Sequence, residues 1–220
     1  MKRSITALLG GVLFAGLSQA NAATLQLDFD ISFGDPTDPD TAAPDGPGPW
    51  MTAFFDDGGT AGSVTLTLSV AGSVGGAEVS EVYLNVDDTI GGANLTITPA
   101  GGTGPAANSI SKGTDAFKAD ADGWYDILFS LPPPGSDRFE AGETLIYDIT
   151  ATGLVASSFN FLSTPDPVDP NGPFLGAAKF QSTGDGSQSD WVGAVPVPAA
   201  VWLFGSGLLG LIGVARRRKV

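Results

Sequence analysis

The stretch Ser63-Val64-Thr65-Leu66-Thr67-Leu68-Ser69-Val70 decides the fold class. Val64, Leu66, Leu68 and Val70 fall on one side of an extended chain, and Thr65, Thr67 and Ser69 fall on the other. A period of two belongs to a strand with one face in a core and one in water, and β-branched side chains suit that pleated surface. Other stretches repeat the pattern. Leu25, Leu27, Phe29, Ile31 and Phe33 alternate with Gln26, Asp28, Asp30 and Ser32. Val82, Leu84 and Val86 are expected to point inward, as are Leu145, Tyr147 and Ile149. Tyr125, Ile127, Phe129 and Leu131 form a further strand, stopped by Pro132-Pro133-Pro134.

Shorter apolar segments stand at 50–55, 95–98, 159–162 and 177–181. Residues 35–49 read as a loop, Asp56-Asp57-Gly58-Gly59 as a turn, and 101–122 as polar and irregular with Ile110 and Phe117 as isolated anchors. Residues 182–190 admit two readings, a polar hinge or a long hairpin loop after which Trp191 opens a last strand. No helical periodicity occurs between the two chain ends, and no repeat of fixed period. Short strands between Gly/Pro turns predict an all-β fold, an antiparallel β-sandwich of jelly-roll type.

Both ends read as targeting segments. Lys2 and Arg3 precede an apolar segment at 5–17, and Ala20-Asn21-Ala22 fits an A-x-A cleavage site that leaves Ala23 as the mature start. The Sec translocon and signal peptidase are the partners such a segment requires. At the other end, Val195-Pro196-Val197-Pro198 leads into an uncharged apolar run at 199–215, then Arg216-Arg217-Arg218-Lys219. At about 1.5 Å per residue the run spans roughly 25 Å, near the lower limit for a transmembrane helix. Pro196 and Pro198 place its start after Pro198. The four cations hold the C-terminus in the cytoplasm as a basic stop. Gly205, Ser206, Gly207 and Gly210 leave a smooth face for contact with another helix. The chain therefore divides into a signal peptide at 1–22, an ectodomain at 23–194 and a tail at 195–220.

The tail, from Val195-Pro196-Val197-Pro198-Ala199-Ala200-Val201-Trp202 to the basic cluster, resembles the PEP-CTERM sorting signal of Gram-negative bacteria, in its VPLPA-CTERM variant. Val197 stands where that variant usually has Leu and the commoner form has Glu. The resemblance implies that Val195, Pro196, Val197, Pro198 and Ala199 are read by an exosortase, a membrane-embedded cysteine-dependent protease or transpeptidase that removes the tail. It implies export through the inner membrane, an anchor that is transient or permanent, and a final place at the cell surface or outside the cell. It also implies a structural role beside exopolysaccharide or in a biofilm. Asp122-Gly123-Trp124-Tyr125-Asp126-Ile127, Gly176-Ala177-Ala178-Lys179-Phe180-Gln181 and Asp190-Trp191-Val192-Gly193 are similar to segments of other ectodomains that carry such signals. That similarity implies a shared sandwich and no activity.

All 24 acids lie in the ectodomain, against Lys112, Lys118, Arg138 and Lys179, for a net charge of −20. Such a domain repels nucleic acid and anionic lipid, stays soluble, and attracts cations. Without cysteine, stability must come from packing. Without histidine or cysteine there is no His-based triad, no thiol nucleophile and no usual zinc site. Carboxylate chemistry remains. Glu78, Glu81, Glu140 and Glu143 are the only glutamates, and a glycoside hydrolase would need two carboxyls across a sugar. The chain is read as a non-enzyme, with that hydrolase as the remotest alternative.

Calcium is the one candidate cofactor. Hard oxygens on a turning backbone occur at Asp35, Asp38 and Asp40, at Asp56 and Asp57, and first of all at Asp120, Asp122 and Asp126 around Gly123. Asp and Gly are equally ordinary turn residues. Carbohydrate binding is the other alternative. Trp50, Trp124 and Trp191, with Tyr83 and Tyr125, would stack on sugar rings if exposed together, and would be core if buried.

Overall fold

The computed structural model describes residues 22–35, 37–120, 123–132, 137–167 and 172–196. The expectations for most of the signal peptide with Ala20, for Asp122, and for Val197, Pro198, Ala199, the apolar run and Arg216, Arg217, Arg218 and Lys219 lie outside the described residues.

Alternating apolar and hydroxyl residues form strands as expected. In chain order they are β1 (Thr24–Ser32), β2 (Met51–Asp56), β3 (Ser63–Val70), β4 (Glu78–Leu84), β5 (Thr96–Gly102), β6 (Ser109–Ala119), β7 (Gly123–Ser130), β8 (Phe139–Glu140), β9 (Thr144–Thr150), β10 (Thr164–Pro165), β11 (Gly176–Thr183) and β12 (Gln188–Ala194). The helices among the described residues are single 3-10 turns at Gly92–Asn94 and Ala156–Phe159. All strands join one sheet with the order β10-β7-β4-β11-β12-β1-β2-β3-β9-β5, to which β6 adds beside β7 and β8 beside β4. Every ladder between named strands is antiparallel. The sheet curls over on itself. Phe129 on β7 and Tyr147 on β9 are far apart in that order, yet their rings lie 5.0 Å apart.

β3 shows why the pattern reads so well. Its Val64, Leu66, Leu68 and Val70 are all buried, while the hydroxyl residues between them are half exposed. Each fully buried Leu or Val contributes about 1.5–3 kcal/mol relative to exposure. The same side faces inward on its neighbours, through Met51, Ala53 and Phe55 on β2 and Leu145, Tyr147 and Ile149 on β9.

Three expectations need correction. Residues 101–122 are not irregular: they hold the end of β5 and the whole of β6, which has eleven residues. Both strands are largely exposed, so no apolar alternation marked them, and ladder hydrogen bonds to β9 and β7 hold them. Residues 159–162 are not a strand. Phe159 closes a 3-10 turn and stacks on Phe55 with centroids 4.3 Å apart, while Phe161 and Leu162 are exposed. Residues 182–190 are a hairpin, with β11 running to Thr183 and β12 starting at Gln188; Trp191 lies inside β12 rather than opening it.

A second apolar cluster lies on the opposite face of β4, β7, β11 and β12. Phe33, Tyr83, Ala119, Tyr125, Phe174 and Ala177 form it, with Phe117, Leu128 and Trp191 against it. Tyr83 stands between Val82 and Leu84, which face the main core, so alternation puts it outward. Two register shifts bring further members across. One lies between Phe29 and Ile31 on β1, after which Phe33 joins this cluster. The other lies in the β6–β7 ladder, where Lys112 pairs with Ile127 and Phe117 with Tyr125: five steps along β6 match two along β7, and Phe117 comes to this cluster beside Tyr125. Gly193 is required here: a Cβ on it would lie 2.7 Å from the Phe174 ring.

Candidate functional site

The three candidate tryptophans do not share a face. Trp50 is buried in the main core, and its indole N–H donates to the Gly46 carbonyl at 3.1 Å. Trp191 is half-buried in the second cluster, 6.2 Å from the Phe33 ring and 5.7 Å from Tyr83. Lys179 on the adjacent strand places its ammonium 5.3 Å from the Trp191 ring. Trp124 is the most open, 36% exposed, with the Lys118 ammonium 5.9 Å from its ring. Tyr83 and Tyr125 are buried with centroids 5.6 Å apart. A ring buried against protein has no face left for a sugar, so Trp124 alone offers a wide surface.

The acids are mostly engaged by their own turns. Asp35 Oδ1 accepts the N–H and hydroxyl of Thr37, at 2.8 and 2.7 Å. Asp87 does the same with Thr89, at 2.8 and 2.7 Å, and Asp185 with Ser187, at 3.1 and 2.5 Å. Those hydroxyl and backbone donors hold all three carboxyls below the usual range. Asp38 accepts the Asp40 N–H at 3.0 Å, and Asp56 accepts the Gly58 N–H at 2.8 Å. Around Gly123, Asp120 is exposed at a positive φ of 47°, while Asp126 is turned inward. The Asp126 carboxylate accepts the N–H groups of Val86 at 3.0 Å and of Asp115 at 2.9 Å. Among the described residues no three acidic side chains converge as a metal centre would require.

Three of the four glutamate side chains have partners. Glu78 is buried and pairs with Arg138, and it stands across the ladder from Glu140. Glu81 accepts the Tyr83 hydroxyl at 3.0 Å, and Glu143 accepts the Glu140 N–H at 2.8 Å. Glu140 and Glu143 line an open cleft of about 360 Å³ with Asp137, Arg138, Thr103 and Gly104.

Two features escaped the sequence reading. Asp126 and Asp190 are carboxylates inside strands, and burial, the largest influence on each, pushes both above the usual range. Asp190 Oδ1 accepts the N–H groups of Trp191 at 2.8 Å and Gly34 at 3.1 Å, tying β12 to the segment after β1. An acid wedged beside an aromatic within an alternating run (Tyr125-Asp126, Asp190-Trp191) was the available signal. The other feature is the place where residues 24–28 and 195–196 come together at the sheet. β12 pairs with β1 only through Phe29, Ile31 and Ser32, so the first half of β1 carries no ladder on that side. A cleft of about 560 Å³ opens there, lined by Thr24, Gln26, Asp28, Leu175, Val195 and Pro196 among others. Ala194 is buried, and Val195 and Pro196 are exposed.

No protein-family model, no curated protein and no solved structure matches the chain.

Proposed function

We propose that this is an exported structural protein of the cell surface or extracellular matrix, sorted through its C-terminal tail by an exosortase-type enzyme and associated with exopolysaccharide. The order of the tail carries this reading: Val195-Pro196-Val197-Pro198, then an uncharged run, then Arg216-Arg217-Arg218-Lys219. The position of the motif supports it. The last strand among the described residues ends at Ala194, and the next two residues stand clear of the core. A protease needs its substrate extended and unpaired, and Pro196, which has no backbone N–H, cannot donate to a ladder.

The ectodomain is best read as a β-sandwich of jelly-roll type. The contact of Phe129 with Tyr147 supports this, as does the hydrogen bond from the Ala107 N–H to the Tyr147 hydroxyl at 3.0 Å. With a net charge of −20 such a domain remains hydrated among acidic or neutral polymers.

The test is intact mass and fractionation of the protein from its native host, with and without the sorting enzyme. The expected mature form lacks 1–22 and the basic tail and is found outside the inner membrane. A protein that keeps its tail and stays in that membrane would refute the sorting reading.

A further inference from the structure

Ala22 and Ala23 are exposed and lie just before Thr24, the first residue of β1. The Ala23 N–H donates to Asp57 Oδ1 at 2.8 Å, and the Ala23 carbonyl accepts the Asp57 N–H at 3.2 Å. Ala23 is thus held at two points. Asp57 is only 8% exposed. Its carboxylate also accepts the N–H of Gly59 at 3.0 Å and of Ala156 at 3.4 Å. These donors, that of Ala23 foremost, hold it below the usual carboxylate range. The ion pairs recorded among the described residues join Lys118 to Asp166 and Arg138 to Glu78, so neither uses Asp57. A sheltered, ionised carboxylate therefore faces the one backbone nitrogen that removal of the signal peptide would turn into an amine.

We propose that Asp57 is the docking site of the mature N-terminus. The proposal rests on the reading of 1–22 as a cleaved signal peptide. Hydrolysis breaks the C–N bond between Ala22 and Ala23. Water gives its hydroxyl to the Ala22 carboxyl and a proton to the Ala23 nitrogen, which takes a further proton from solvent near neutral pH. The amide donor becomes an ammonium, and its hydrogen bond to Asp57 becomes charge-assisted, roughly twice as strong as a neutral one. The ion pair latches β1 to the Asp57–Gly59 turn and to the start of the Ala156–Phe159 turn. It also fixes the start of the mature chain to the residue. An N-terminus one residue longer would carry its ammonium about 3.8 Å further along the chain. A free α-amine titrates at about 7.7–8.0, and a neighbouring carboxylate raises that value. The latch is therefore complete from about pH 8 down to the acid range in which Asp57 takes up its proton, and is lost as pH rises through the raised, folded-state value of the amine.

The test uses the full chain with a specific protease site placed so that the cut leaves Ala23 first. The cut is expected to raise the melting temperature by a few degrees at pH 7, with the gain fading in alkaline solution. The gain should vanish in Asp57→Asn and when one Gly is inserted before Ala23. NMR titration of the α-ammonium should give a value above its ordinary range. If cut and uncut protein melt alike, or the amine titrates in its ordinary range, the latch is overturned. Should Asp57→Asn fail to fold, the inserted Gly and the titration decide. The N-terminus of the exported protein, read by mass, tests the underlying reading separately. A native start elsewhere removes Ala23 as the mature terminus, whereas a native start at Ala23 with an ordinary amine sinks the latch alone.

Discussion

The main core and the outer aromatic cluster are made by the same strands and follow different rules. Val82, Leu84, Ala178, Phe180 and Val192 face the main core; Tyr83, Ala177 and Trp191 face the other way. The main core is aliphatic-rich and is closed on both sides by the curled sheet. The outer cluster is mostly rings, lies nearer to solvent, and takes Phe33, Phe117 and Phe174 from strand ends and connections. A closed core loses contacts that nothing can replace when a side chain is removed. A surface cluster can readjust, and water can enter.

That contrast can be broken by paired truncations. Phe129→Ala, in the main core, is expected to cost about 3–5 kcal/mol in urea unfolding. Phe174→Ala, in the outer cluster, should cost less, about 2 kcal/mol. It should also shift the fluorescence of Trp191 through Phe33, which stacks on Phe174 with centroids 4.7 Å apart. Equal costs would make the outer cluster a core in its own right.

Acid sharpens the comparison. Asp126 and Asp190 have raised values in the folded state, so that state binds their protons first, and their burial costs stability while they are ionised. Lowering the pH from 7 through their raised values should therefore increase the melting temperature, by roughly one to a few degrees. Below about pH 4 the trend reverses, because Asp35, Asp57, Asp87 and Asp185 have depressed values and lose their turn contacts on protonation. In Asp190→Asn part of the gain between neutral and mildly acidic pH should disappear. A monotonic fall in melting temperature from pH 7 downward would contradict the account. The smallest effect is expected at the rim. Lys179→Gln removes the cation over the Trp191 ring and should cost about 0.5–1 kcal/mol, less in high salt.

What could be read in advance follows the same division. Residues 63–70 announced β3 and its inward face without reference to any other strand, because side-chain alternation is a local consequence of the extended backbone. The hydroxyl-bearing turns Asp35–Thr37, Asp87–Thr89 and Asp185–Ser187 are equally local. Of their acids Asp35 stood out as a candidate calcium ligand, yet it, like Asp87 and Asp185, is engaged by a residue two positions on. For the candidate site, the sequence named the tryptophans and acids but not their company: Trp50 went to the main core, Trp191 to the outer cluster, and Trp124 to an exposed face of β7.

The sequence by itself determined the all-β class, most of the strands, and most of the inward residues of the alternating runs; Ile31, expected inward, is exposed. Tertiary structure decided the rest. It set the sheet order, in which β4 lies between β7 and β11 and β1 between β12 and β2. It turned the polar stretch of β6 into a strand, because β7 offered an edge for its hydrogen bonds. It shifted the registers beside Phe29 and in the β6–β7 ladder, and so brought Phe33 and Phe117 to the outer cluster. It also brought Ala23 to Asp57, 34 residues away. Strand pairing and register depend on how distant side chains fit together, and a period of two in one segment carries no information about which partner it meets.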